Sequence, residues 1–517
     1  MLVGLLAAPM VNAAPPASPP GAVITNPAAS PSTFLPAEPV PAPAPVKPLI
    51  ELTTLKLLRA KGVITEAEYE SALRDVGDSA GGRAGDGATV NVAGWKTTLY
   101  GFVQTDFMWD STQSFNEYPG NSAVARPDTY AGTHPRFEVA IRHSRFGFRF
   151  APPAVGSIRT SGTMELDFQG GAGSGSIAST SATLSEAGFF TSPVLRIRHA
   201  YAKVETPIVD VLFGQTWNLY GFAPNYVPAI VVWAGLPGEV YGRNVQLRVS
   251  KTIKTEYVDV ELAVAAMRPT QRDSAVPEGQ AAARILFPKW TGWRSGSISG
   301  TALAPASIGV SGTVRQLVVG VPYPVGSASQ SASSYFLTGS GLAVSAHIPV
   351  IPGSKEDKSN SLSLVAEGAI GKSVNDQYTG LTGGVANATT ITSLPPVTTG
   401  SNFGTSGVID SGLAAFDSSG KLIQPQWLTC VAGLEYYFPS GRVALFGTWG
   451  HSQLQNAAAF ASPAKVRNHS NFYDGGFFVD VTQQIRAGLD YSRIVDVYQD
   501  GVTAVNDRVQ ASAYFFF

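Results

Sequence analysis

From Lys96 to the last residue the chain alternates apolar and polar positions in segments such as TTLYGFVQTDFMW, VLRIRHAYAKVE, RNVQLRVS, QWLTCVAGLEYYF and VQASAYFFF. Segments of about ten residues with a period of two are the pattern of strands that cross a bilayer. About sixteen can be read, and a closed antiparallel barrel needs an even number. The final segment keeps the alternation to its end. Val509, Ala511, Ala513 and Phe515 share one face, and Arg508, Gln510, Ser512 and Tyr514 share the other. That predicts a last strand paired along its whole length, closing the barrel against the first.

The connections support the same reading, because short and long ones tend to alternate. ETPI, KTIKTE, PSG (439–441) and TQQ (482–484) are short, whereas 111–136, 169–193, 219–242, 373–425 and 454–470 are long. Short turns at one end and long loops at the other are the outer-membrane arrangement. The run 288–306 fits least, since a short turn is expected there. Aromatic residues crowd the strand ends (Tyr100, Trp109, Phe148, Phe150, Tyr436, Tyr437, Phe438), as interfacial girdles would. A soluble sandwich or propeller would also alternate. Its solvated face, however, would carry more Lys and Glu, and no blade-length repeat is visible.

Composition narrows the class further. Charged residues are 14% of the 517 and the formal net charge is -1, so nucleic acid is not an expected partner. No apolar run is long enough for a transmembrane helix. The lone Cys430 excludes an intramolecular disulfide and reads as a small strand residue. Ahead of the barrel (95–517), residues 1–13 look like the apolar part of a secretory signal without its basic region. Residues 14–48 form a Pro/Ala-rich linker that favours extended polyproline conformers. In 49–77, Leu52, Leu55 and Leu58 share a helical face, Gly62 interrupts, and Thr65 with Glu68 makes a capping box. This short helical, periplasmic segment is expected to pack against its own copies or a partner. Residues 78–94 read as a Gly-rich linker.

Each strand residue faces lipid or lumen. In SRFGFRF the phenylalanines Phe146, Phe148 and Phe150 take the lipid face, because it disfavours Arg by about 2–4 kcal/mol at the midplane. Arg145 and Arg149 then point inward. The same logic turns Arg196, Arg198, Arg248, Arg284, Arg315, Arg486 and Arg508 inward, with Gln215 offered by the fifth strand. Glu165 and Asp167 also face in, between the arginine-bearing strands. Two readings stay open: a neutral salt-bridge lattice, or a basic ladder that guides anions. Arg rather than Lys suits carboxylate or phosphate, because its planar fork binds two oxygens. The loop 218–242 is too apolar for a solvated surface. Folded into the barrel, it would narrow the pore with Tyr220, Tyr226, Trp233 and Tyr241, with Glu239 opposing the arginines. Otherwise it packs at a subunit interface.

The stretches LYGFVQTDFMWDS, RHSRFGFRF, LRIRHAYAKVE, LFGQTWNLY and PGEVYGRNVQLRVS resemble the DcaP-like outer-membrane porins. LLRAKGVITEAEYESAL is similar to the helical segment ahead of phosphate-selective porins of the O/P type. The resemblance implies a sixteen-stranded homotrimer in the bacterial outer membrane, among lipid and lipopolysaccharide. It also implies passive uptake of small anionic solutes, typically dicarboxylates, through an Arg-lined pore. A general or phosphate-preferring porin is the alternative, as is a structural anchor whose spacer reaches toward peptidoglycan. Catalysis is not expected: six histidines stand without GxSxG, HExxH or P-loop contexts. Nor is a cofactor or metal site.

Overall fold

The computed structural model describes residues 61, 88–92 and 94–517, less 171–193, 224, 233–234, 269–273, 296–300, 321–322, 325–333, 356, 382–384, 386–402, 405–412, 418 and 462. The chain divides into two units, Met1–Val76 and Gly77–Phe517, and the second holds the barrel. The expected signal, Pro-rich linker and helical segment lie outside the described residues, Lys61 excepted.

Sixteen antiparallel staves form the barrel. They are β1 (Trp95–Asp110), β2 (Arg136–Ala140 with Arg145–Ala151), β3 (Arg159–Gly170), β4 (Val194–Glu205), β5 (Asp210–Trp217), β6 (Arg243–Ile253), β7 (Asp259–Met267) and β8 (Glu278–Ser295). They continue as β9 (Thr301–Gly320), β10 (Ser334–Ile351), β11 (Leu362–Lys372), β12 (Gln426–Tyr437), β13 (Val443–Leu454), β14 (Arg467–Asp480), β15 (Ile485–Tyr498) and β16 (Thr503–Phe516). Each pairs with the next, and β16 pairs with β1 from Phe102↔Phe516 to Asp110↔Arg508. That register closes the cylinder, so that each of the sixteen staves is paired on both sides, as a bilayer requires.

The alternation expected for a barrel wall is present. Val103, Phe107, Leu247, Val344, Leu434 and Phe515 are exposed on the outer face, while their neighbours Gln104, Asp106, Gln246, Ser345, Glu435 and Tyr514 are buried inside. A continuous exposed apolar wall is stable only against lipid. Two expectations change. Residues 88–92, expected as linker, form a strand that pairs with Trp95–Leu99, because ATVNV alternates β-branched and polar residues. Tyr100 and Tyr437 are not girdle residues; both are buried in the lumen. The irregular run 288–306 is strand on both sides. β8 extends to Ser295 across a bulge between Phe287 and Thr291, and β9 starts at Thr301.

The lumen is not empty. The loop 218–242 enters it and packs against the far wall. Ala229 and Val231 join Phe446, Phe478, Tyr514 and Phe516 in one apolar cluster. Ile230, Val232 and Leu236 join Phe115 and Val124 of the first long loop, together with Phe472 and Ile494. Gly221 has φ +81 at the point where the chain presses on Val240, a conformation L side chains rarely adopt.

Candidate functional site

The site is built on β2 to β6, and two irregularities shape it. β2 breaks at 141–144, where Ser144 N donates to Ile141 O. The Ser144 hydroxyl takes over the ladder, accepting from Gln104 N at 3.0 Å. The break turns His143 into the lumen, with Nδ1 2.7 Å from Asp106 Oδ2 and its ring 4.7 Å from that of Tyr118. A second irregularity lies between β3 and β4, where the register shifts between Glu165 and Leu166. It sends both Arg198 and His199 inward. His199 then shares a 3.0 Å hydrogen bond with Thr216.

Gln215 does not line the pore. It pairs with Ala200 and Val245 on the outer face. Its amide donates to Ile197 O at 2.8 Å, a carbonyl that the shifted register frees from the ladder. The need of a bulged backbone for a donor, rather than anion contact, explains the residue.

The arginines fall into two groups. One group is neutralised. Arg196 grips Asp167 with two bonds of 2.9 and 2.6 Å. Arg198, 2% exposed, donates to Glu165 at 2.7 Å and to Asp167 at 2.9 Å. Arg284 holds Glu261, Arg486 holds Asp480, Arg315 holds Asp376 and Arg508 holds Asp110. Tyr100 steadies Glu165 by donating its hydroxyl at 3.1 Å.

Other arginines stack on rings or bind neutral groups. Arg149 lies 3.9 Å over Tyr100 and Arg145 lies 5.4 Å over Phe102. Arg248 donates to Gln246 Oε1 at 2.9 Å and to Trp217 O. Arg243 sits 4.8 Å over the Trp217 ring. Strict alternation would send Arg243 outward with Val245. It stands where the strand ends and Asn218 N bonds Gly242 O, so the pleat no longer dictates its direction. The middle of this wall thus sets six guanidinium groups (Arg145, Arg149, Arg196, Arg198, Arg243, Arg248) against two carboxylates, Glu165 and Asp167. At the turn end, Lys203 and Arg159 are offset by Glu205 and Asp210.

The loop residues named from sequence divide as well. Tyr241 reaches the arginine wall, its ring 4.7 Å from Trp217. Tyr220 and Tyr226 do not. Tyr220 donates to Ile370 O of β11 at 3.3 Å and shares a 2.6 Å bond with Tyr378 of the loop 373–425, and Tyr226 bonds Ser307 of β9 at 3.0 Å, so both fasten the loop to the opposite wall. Glu239 does not oppose the arginines either. It is buried, accepts Leu236 N at 2.9 Å, and lies one residue from Val240, whose N–H donates to Glu367 at 2.9 Å. Trp233 lies outside the described residues. Reading the sequence by alternation missed Arg243, Trp217 and Tyr118. It also missed the carboxylates that hold the loop, Glu367 and Asp490. Among the described residues no group of His, Cys, Asp or Glu is arranged for a metal.

No protein-family model matches the sequence, and no curated protein matches it. Among solved structures the chain is similar to the outer membrane channel DcaP of Acinetobacter baumannii. The TM-score is 0.57 and the identity 17%, over 83% of this chain and all of that one. Weaker likenesses are to the outer membrane protein OmpT of Vibrio cholerae (TM-score 0.46, 10% identity, 83% of this chain and 100% of that chain) and to an anion-selective porin from Comamonas acidovorans (0.44, 9%, 82% and 100%). The fold is that of a bacterial outer-membrane porin.

Proposed function

We propose that the protein is a passive diffusion channel that prefers small anionic solutes. The observation that carries this reading is the excess of guanidinium over carboxylate on the β2–β6 wall, six to two at mid-height. The inserted loop packs on the other side, so solute is directed along that wall. Fixed charge on one side of a narrow, low-dielectric passage concentrates counter-ions and excludes co-ions. Dicarboxylates suit the wall, because a guanidinium fork takes both oxygens of a carboxylate and each solute carries two such groups. Assembly as a homotrimer is part of the same reading, and rests on the sequence resemblance. Crosslinking in native membranes tests it.

The deciding experiment is the reversal potential of the purified protein in a planar bilayer under a KCl gradient. Chloride preference is expected. Cation preference, or none, would refute the anion channel and leave a general porin. Absence of conductance would favour the structural anchor.

A further inference from the structure

We propose that Arg243 and Arg248, held by Trp217, form a discrete oxyanion-binding station. On this view they carry selectivity, and the ion-paired Arg196 and Arg198 do not. The inference rests on the anion-channel reading and adds which residues act and what they take.

Three observations converge on Trp217. The guanidinium of Arg243 lies over its ring at 4.8 Å and that of Arg198 at 5.6 Å. Arg248 donates to its backbone carbonyl. The indole is fixed in turn by Tyr241, at 4.7 Å, and by His199, at 5.4 Å. Trp217 is therefore a platform that gathers three guanidinium groups in one place. Their charge states differ in effect. Arg198 spends its field on Glu165 and Asp167. Arg243 and Arg248 make no ion pair among the described residues. The Arg243 Nη1 atom is buried with no hydrogen-bond partner, although a buried donor is ordinarily satisfied. Arg248 uses Nε and Nη2 on neutral acceptors.

An oxyanion that presents two oxygens would satisfy both needs. It supplies the acceptor that Arg243 lacks and the negative charge that neither arginine has. Stacking on Trp217 restricts the Arg243 side chain before the solute arrives, so less entropy is lost on binding. Halide has no pair of oxygens to match the fork. The station should therefore hold oxyanions longer than chloride, and a slowly leaving oxyanion should block chloride current.

The test uses the full-length protein in planar bilayers with sulfate as the probe, since its charge is constant across the working pH range. Wild-type chloride current should fall saturably as sulfate is added. In the R243Q/R248Q variant the half-blocking sulfate concentration should rise about tenfold or more, the loss expected for charge-assisted hydrogen bonds. The R243K/R248K variant keeps both charges and loses both forks; its sulfate block should weaken more than its chloride preference does. It also serves if the neutral variant does not give a heat-modifiable barrel on gels. Chloride preference with sulfate block unchanged in these variants would overturn the station and spare the channel reading. Absence of anion preference in the wild type would overturn both. Block lost equally in W217A but kept in W217F would support the platform role of the ring.

Discussion

Asp167 accepts three hydrogen bonds from two arginines, two from Arg196 and one from Arg198, so Asp167→Asn is the most informative single change. It removes one negative charge without changing side-chain size. At mid-height the wall goes from six against two, a net +4, to six against one, a net +5. An ion passing about 8 Å away feels one added charge as about 2 kcal/mol at an effective dielectric of about 20. Screening at about 0.1 M salt reduces this to about 1 kcal/mol. The effect is attractive for chloride and repulsive for potassium, so the two contributions sum to about 2 kcal/mol and the permeability ratio should move toward chloride by about thirtyfold. Stability moves the other way. Arg198 is buried, and breaking a buried pair by removing one partner costs about 3–5 kcal/mol. Glu165 remains as a second acceptor and places the loss at the lower end. Reversal potentials give the first quantity, and urea denaturation in detergent gives the second. An unchanged or lower chloride preference in a folded variant would refute the view that Asp167 masks the arginines.

Three further outcomes are expected. Asp490→Ala removes the acceptor of Val231 N, now bonded at 3.1 Å; a buried N–H left bare costs about 1–3 kcal/mol, and single-channel records should show larger, noisier conductance. Leu434→Arg on the exposed outer face should destabilise the barrel by about 2–4 kcal/mol in lipid refolding titrations, whereas a soluble sandwich would tolerate it. Deleting 14–77 should leave a folded, conducting barrel on heat-modifiability gels and in bilayers, and loss of trimers after the deletion would show that these residues hold the assembly together.

The strands were legible because lipid imposes a strict rule: every second residue along the wall must be apolar, and Phe146, Leu195 and Leu247 obey it. The run 288–306 resisted the rule for two local reasons. The bulge between Phe287 and Thr291 shifts the phase of β8. Pro305 interrupts β9 just ahead of Ser307, where pairing with β10 begins, a position at which a missing N–H is tolerated. The site was legible only where the pleat is regular. Arg145, Arg149 and Arg248 lie where alternation puts them. Gln215 serves a bulge, and a register shift leaves no mark in the residue pattern. Arg243 sits at a strand end, where direction is set by the packing of Trp217 rather than by phase. The fate of Glu239 depended on the path of a loop through the lumen, which no periodicity encodes.

The inserted loop also sets an order of events for biogenesis. Its anchors are remote in sequence: Val231 N reaches Asp490 across 259 residues, and the Tyr514 hydroxyl reaches Val231 O across 283. Loop-closure entropy makes such contacts late. Both partners belong to the last two staves, and β16 is also the stave that seals the cylinder. The Val231 tip of the loop therefore cannot complete its contacts until the final strand has arrived. Closure of the wall and narrowing of the passage are completed together, by the same terminal segment.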